Sequence, residues 1–335
     1  MTRLLTLAHV REIIQKKGIL PCFSELTEAL RSDYARWDDF QKMPRIANHY
    51  EHGVIELMPI CDNEYYAYKY VNGHPFNPKQ NKLTVVASGM LSEVASGYPV
   101  LISEMTILTA LRTAATCALA SDYLARKNSK TMGIIGTGSQ AEFQVLALKA
   151  VLDIERVQCF DIDPEAMRKF EKNMESFDLN LQPCKDAKST VDNADVIVTA
   201  TADKQRSRIL EDDWIRPGMH INGVGGDCPG KTELSLGILK RAKIVVEYFE
   251  QSKKEGEIQH LEDGSYTELC ELVSGKKLGR ESDEEITLFD SVGFALEDYT
   301  VLKYFAALAE EMNIGEFIDV IPSIDDPKDL FQLIR

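Results

Sequence analysis

The chain has 335 residues, 44% of them hydrophobic, and a formal net charge of −15. That length exceeds what one hydrophobic core usually organises, so two domains are expected. The acidity, with no basic run and no Lys/Arg stripe interleaved with aromatics, argues against nucleic acid or an anionic membrane as a partner.

Seven scattered cysteines without paired spacing read as reduced thiols. Leu4 to Val10 is too short, and too soon interrupted by Arg11 and Glu12, for a secretory core, and no run of eighteen apolar residues occurs. A cytoplasmic protein is expected. His49 and His52 lack an obvious third ligand, so no metal is expected.

In chain order, Val54–Met58, Tyr65–Val71, Leu83–Ser88 and Pro99–Ile102 are short strand candidates, separated by Asp-Asn, Asn-Gly and Ser-Gly turn signals and without regular intervening helices. They predict a largely antiparallel sheet. A helix is expected from about Ser103 to Arg126, with Ser103 as N-cap, Glu104 in the first turn, and Leu108, Leu111, Ala115 and Leu119 on one stripe. From Lys130 onward, short β-rich runs at Met132–Ile135, Val157–Phe160, Asp195–Thr199, Met219–Asn222 and Ile244–Val246 read as buried parallel strands. Helices at Gln140–Leu152 and Asp163–Phe177 fill two of the intervals. Ile286–Phe289 reads as a late strand, Gly293–Met312 as a long helix, and Phe317–Ile321 as a strand returning to the first domain. The fold class is α/β: a Rossmann-type doubly wound parallel sheet over 113–313, plus a discontinuous, largely antiparallel α+β domain over 1–112 joined by 314–335.

The segment Gly136-Thr137-Gly138-Ser139-Gln140-Ala141 follows the first of the parallel strands. Gly136 would make the tight turn, Gly138 would let the backbone reach a pyrophosphate, and Ala141 would permit close helix packing. Asp161 lies twenty residues beyond Ala141, where the ribose-binding acid of such a unit belongs. Its carboxylate would accept both ribose hydroxyls and repel a 2′-phosphate, which favours NAD over NADP.

The second informative stretch, Asn222 to Leu234, follows another parallel strand and contains Gly225-Gly226-Asp227-Cys228-Pro229-Gly230. An acid on such a loop would stand near the cofactor crevice, making Asp227 a candidate base; equally, Asp227 could only shape the turn before Pro229.

These features join others in order: Met43-Pro44-Arg45, Tyr68-Lys69-Tyr70-Val71, Leu83-Thr84-Val85-Val86, Leu108 to Ala115, and Asp290-Ser291-Val292-Gly293. Together they resemble the ornithine cyclodeaminase and mu-crystallin family over nearly the whole chain. The Gly-Gly-Asp-Cys-Pro-Gly-Lys-Thr-Glu-Leu run looks like the cyclodeaminase branch.

The resemblance implies conversion of L-ornithine to L-proline and ammonia with NAD as a recycled participant. It implies Arg45, Lys69 and Arg112 as a clamp for the substrate carboxylate, Val292 beside the substrate, and Asp227 as the catalytic acceptor of an amine proton. Cofactor contacts implied are Thr84, Gly136, Gly138, Ser139, Gln140, Asp161, Thr201, Val224, Gly225, Gly226, Lys231 and Ser291. Glu56 is set aside as a solvated strand-end acid. A homodimer through the first sheet is implied as well, consistent with strand candidates too few to cover themselves. A dehydrogenase or cyclic-imine reductase of the same fold, a lysine cyclodeaminase, or a non-enzymatic small-ligand binder are the competing readings.

Overall fold

The protein is described from a computed structural model covering residues 1–202, 208–261 and 264–335. Two sheets organise it. The first is built from β1 (Thr2–Leu5), β2 (Ile46–Tyr50), β3 (Gly53–Cys61), β4 (Tyr65–Gly73), β5 (Ala87–Glu93) and β6 (Pro99–Glu104). The second holds β7 (Thr131–Ile135), β8 (Arg156–Phe160), β9 (Asn180–Pro183), β10 (Val196–Thr199), β11 (His220–Gly223), β12 (Lys243–Val246), β13 (Tyr266–Glu268) and β14 (Thr287–Asp290). A last strand, β15 (Glu316–Ile318), returns to pair antiparallel with β1 in the first sheet.

Every pairing of the second sheet is parallel, in the order β13-β12-β14-β11-β10-β7-β8-β9. Chain direction across the sheet reverses between β7 and β10, so a topological switch point lies beside the Gly136 turn. The strand interiors are buried on both faces, which is why they read as largely apolar runs, with Gln158, His220 and Asn222 among the buried polar exceptions. The first sheet runs β15-β1-β6-β5-β4-β3-β2 and is antiparallel except for the β1–β6 pair.

The helices are α1 (Leu7–Lys17), α2 (Ile19–Ala35), α3 (Thr106–Leu124), α4 (Ala141–Val151), α5 (Pro164–Met174), α6 (Ala187–Val191), α7 (Leu236–Arg241), α8 (Phe249–Glu255), α9 (Leu269–Val273) and α10 (Ala295–Glu311). Asp163 caps α5 by accepting from Glu165 N at 2.8 Å, with Pro164 at the first helical position. Helix α3 is almost wholly buried, and one core cluster runs from Met58, Ala67 and Leu91 of the first sheet through α3 to Ile134, Val157 and Phe289 of the second. Among the described residues no helix is long and apolar enough to cross a membrane.

Helices α1 and α2, absent from the sequence expectations, precede the antiparallel strands and occupy most of residues 7–35, with Cys22, Phe23, Leu26, Leu30 and Tyr34 buried on one stripe of α2. Two expectations need correction. The strand expected at Leu83–Ser88 begins later, at Ala87, because Val85 and Val86 stay exposed and have no core to pack against. Ser103 is not a helix cap. It lies in β6 and donates to Glu104 O, while the Glu104 carboxylate accepts from Ile107 N at 3.0 Å in the first turn of α3.

Candidate active site

The C-terminal edge of the parallel sheet gathers most of the residues singled out above. Gly136 closes β7 with φ +97°, and a Cβ there would stand 2.6 Å from the Ala200 carbonyl, so only glycine fits. Gly138 faces open space and Ser139 is exposed, leaving the start of α4 accessible to an anion. Asp161, at the end of β8, accepts from Thr137 N at 2.6 Å and from Asp163 N at 2.9 Å. Its carboxylate therefore braces the glycine turn and keeps lone pairs for a further donor. Lys169 of α5 donates to the Thr137 and Gly138 carbonyls at 2.8 and 2.9 Å, pinning the turn from the other side. Gln140 ends the turn with a buried side-chain oxygen that has no hydrogen-bond donor.

Thr201 follows β10, Val224 to Gly226 follow β11, and Ser291 follows β14, all at the same edge. Val224 N and Gly225 N donate to Thr199 O at 2.9 and 3.1 Å, so the β11 loop folds back over β10. Thr84 stands apart from this set. It lies between β4 and β5, where its carbonyl accepts from His74 N at 2.8 Å.

The three cations expected to bind a carboxylate come together, and none stands free. Lys69, on β4, is 1% exposed and places Nζ 2.8 Å from Asp298 Oδ1. Arg112, on α3, sets Nε 3.0 Å from the same oxygen and Nη1 in a short ion pair with Glu297. Arg45 precedes β2, pairs with Glu56 at 3.2 Å and Glu255 at 3.1 Å, and donates to the Val292 and Gly293 carbonyls at 2.9 and 2.7 Å. Glu297 and Asp298 come from the first turn of α10, where acids suit the helix dipole.

Electrostatics follow from this crowding. Burial, helped by Arg112, brings Lys69 down to about 8 even though Asp298 opposes it. Burial also lifts Glu297 to about 7 against the pull of Arg112. Nε of each arginine meets its carboxylate at ion-pair distance without an aligned hydrogen bond, while the Nη atoms carry the bonded contacts.

Asp227 projects from the β11 loop with its side chain 54% exposed. Lys231, nearly buried, puts Nζ 3.4 Å from Asp227 Oδ1 and 3.0 Å from Thr201 O, tying the base candidate to the β10 loop. Burial works against the Arg45 charge, yet Glu56, Glu255 and then Asp227 hold its pKa above the usual value, so Asp227 lies within electrostatic reach of the cation cluster. Val292, whose carbonyl accepts from Arg45, is 8% exposed.

Several functional supports escaped sequence reasoning. Glu247, at the end of β12, accepts from Ser291 Oγ, Val292 N and Gly293 N at 3.0, 3.0 and 3.1 Å and so fixes the turn whose carbonyls hold Arg45. Glu56 is not a solvated acid: it is 9% exposed and paired with Arg45. Glu255, Glu297 and Asp298 complete the set. Their one legible signal was acid at the start of the C-terminal long helix.

A doubly wound sheet with an open glycine turn, set against a buried cluster of cations and carboxylates, defines a Rossmann-type protein built for a small charged substrate. The chain belongs to the ornithine cyclodeaminase/mu-crystallin family, whose model matches residues 9–313. It is 49% identical to an ornithine cyclodeaminase of Agrobacterium fabrum over 98% of this chain and 94% of the relative. It is 40% identical to an alanine dehydrogenase of Archaeoglobus fulgidus over 83% of this chain and 87% of that protein. Among solved structures, a lysine cyclodeaminase studied for recognition of L-lysine, L-ornithine and L-2,4-diaminobutyric acid matches with TM-score 0.90 at 30% identity, covering 98% of both chains. An archaeal alanine dehydrogenase dimer with bound NAD matches with TM-score 0.86 at 36% identity, covering 96% of this chain and 99% of that one.

Proposed function

We propose that this enzyme is an ornithine cyclodeaminase, converting L-ornithine to L-proline and ammonia with NAD as a recycled cofactor. The observation that carries the reading from the geometry is the placement of Asp227. An exposed carboxylate stands at the mouth of the parallel sheet, linked by Lys231 to the β10 loop and within electrostatic reach of Arg45. The relatives named ornithine cyclodeaminase support the same assignment.

The open turn at Gly138, the braced Asp161 carboxylate and the unpartnered Gln140 oxygen fit a dinucleotide. Gly136, Gly138, Ser139, Gln140 and Asp161 would hold NAD, with Thr84, Thr201, Val224, Gly225, Gly226, Lys231 and Ser291 around it. Bound there, NAD supplies a reversible hydride acceptor for the α-carbon of the substrate.

The chain's own residues do the rest. Arg45, Lys69 and Arg112 receive the substrate carboxylate by exchanging part of their internal ion pairs, and Val292 borders the carbon chain. Asp227 takes a proton from a substrate ammonium and holds it, which frees a nitrogen lone pair for ring closure. Holding the carboxylate and the distal amine together lets the δ-nitrogen meet the α-carbon intramolecularly, where proximity lowers the barrier. The original α-nitrogen leaves as ammonia, and ornithine has become proline plus ammonia with no net redox change.

Incubation with ornithine and a trace of NAD tests this. Proline and ammonia are expected in equal amounts, far exceeding the NAD added. NADH formed one-for-one with ammonia would instead establish a dehydrogenase, as in the relative named for alanine.

The assembly proposed is a homodimer through the outer face of the first sheet. Ile46, Leu57 and Tyr70 stand opposite one another across β2, β3 and β4 and are 54%, 38% and 41% exposed, a row of large apolar side chains only partly covered by the described residues. Light scattering should give twice the chain mass at micromolar concentration; a monomer there removes the claim.

A further inference from the structure

Behind the Asp227 loop lies a stack of buried carboxylates. Asp290, at the end of β14, accepts from Glu257 N at 2.9 Å and Ile258 N at 3.1 Å. Glu257 in turn accepts from Glu233 N at 2.7 Å and Leu234 N at 3.1 Å. Glu233 then accepts from Thr201 N at 2.9 Å, from the Thr201 hydroxyl in a short bond, and from Gly225 N at 3.1 Å. Each carboxylate thus grips the backbone that carries the next, and the last grips the two loops that flank the base.

The three acids are 0–1% exposed, and among the described residues none has a cation within ion-pair distance. Burial lifts Asp290 to about 7, and burial together with the Asp290 charge lifts Glu257 to about 8. A fold has little reason to stack such groups for stability alone, since burying acids is costly whether they stay charged or are driven to the protonated form, with Lys231 a nearby cation for Glu233. The glycines tell the same story from the other side. A Cβ on Gly256 would strike the Asp290 carboxylate, one on Gly226 the Glu257 carboxylate, and one on Gly225 the Glu233 carboxylate. Gly225 and Gly226 are therefore small because the acids press on the backbone immediately before Asp227.

We propose that Asp290, Glu257 and Glu233 are positioning residues: a relay that sets the placement of Asp227 and Thr201 from behind, beginning at the strand whose end also carries Ser291 and Val292. Through it, the loop that borders the substrate and the loop that bears the base share one mechanical reference. The inference rests on the reading of Asp227 as the base.

The test is steady-state kinetics on ornithine at saturating NAD with three variants of the full-length protein: Glu257→Gln, Gly226→Ala and Asp227→Asn. Glu257→Gln keeps the shape but turns an amide N–H₂ toward one of the two backbone donors. Gly226→Ala removes no acid and, from the loop side, forces the Glu257 carboxylate and the loop apart. Both are expected to lower kcat per folded enzyme about ten- to hundredfold, with KM for ornithine little changed, because a misplaced base weakens the reaction step and leaves carboxylate binding intact. A merely structural acid would lower the melting temperature and leave that split unseen. Folded Glu257→Gln and Gly226→Ala proteins with wild-type kcat, beside an inactive Asp227→Asn, overturn the relay and spare the base. An active Asp227→Asn overturns the base and the relay's purpose with it. Failure of both relay variants to fold assigns the acids to the fold itself and overturns the proposal.

Discussion

Replacing Asp227 by Asn should lower ornithine turnover by about 10²- to 10⁴-fold while NAD binding, followed by calorimetry, stays at the wild-type affinity. The amide keeps the size of the carboxylate and its reach from the β11 loop. What it loses is the ability to take and hold an amine proton, and a protonated amine has no lone pair with which to close a ring. The 54% exposure of this side chain means that no packing is lost on substitution, so the melting temperature should barely move. Lys231 loses a charge partner at 3.4 Å and keeps the Thr201 carbonyl at 3.0 Å, so the loop remains tied. Full activity in this variant would remove Asp227 from the mechanism even if proline were confirmed as the product.

Arg112→Met is expected to destabilise the fold by about 3–5 kcal/mol, read as a lower urea midpoint. Arg112 is 4% exposed, and its partners Glu297 and Asp298 are fully buried, so removal of the guanidinium leaves two neighbouring carboxylates with Lys69 as the remaining cation beside Asp298. The loss should depend on pH. Glu297 already sits at about 7 in the folded protein, raised by burial, so its contribution is fully present below the unfolded carboxylate value of 4.5 and is lost as pH rises through 7. Without Arg112 the folded value moves higher still, and the loss extends further up. The variant should therefore lie further below the wild type at pH 8 than at pH 6. Equal urea midpoints for variant and wild type would show that the pair contributes nothing.

The parallel sheet was legible because strands buried on both faces are mostly apolar, and β-rich runs such as Met132–Ile135, Val157–Phe160 and Asp195–Thr199 alternate with helical segments. The turn at Gly136 was legible because its glycine is required by backbone geometry, a local property. Helices α1 and α2 were missed although Cys22, Phe23, Leu26, Leu30 and Tyr34 hold a helical spacing; Gly18 and Pro21 at the junction break the pattern into two short pieces. The acidic half of the site was illegible for a different reason. Lys69 and Asp298 are 229 residues apart, and in a chain of net charge −15 an acid that will be buried looks like any solvated one. Only the fold reveals that Glu247, Glu257, Asp290 and Glu297 are interior groups.

The unbroken core through α3 has a consequence for how the molecule can move. Ala114, Ala115, Ala118 and Leu119 are wholly sequestered in a cluster that includes side chains of both sheets, so prising the sheets apart would expose the middle of the protein. A wide clamshell opening would have to break this shared core, a cost that any entry route along it would carry. Thermal denaturation should engulf both layers together, since they share that core.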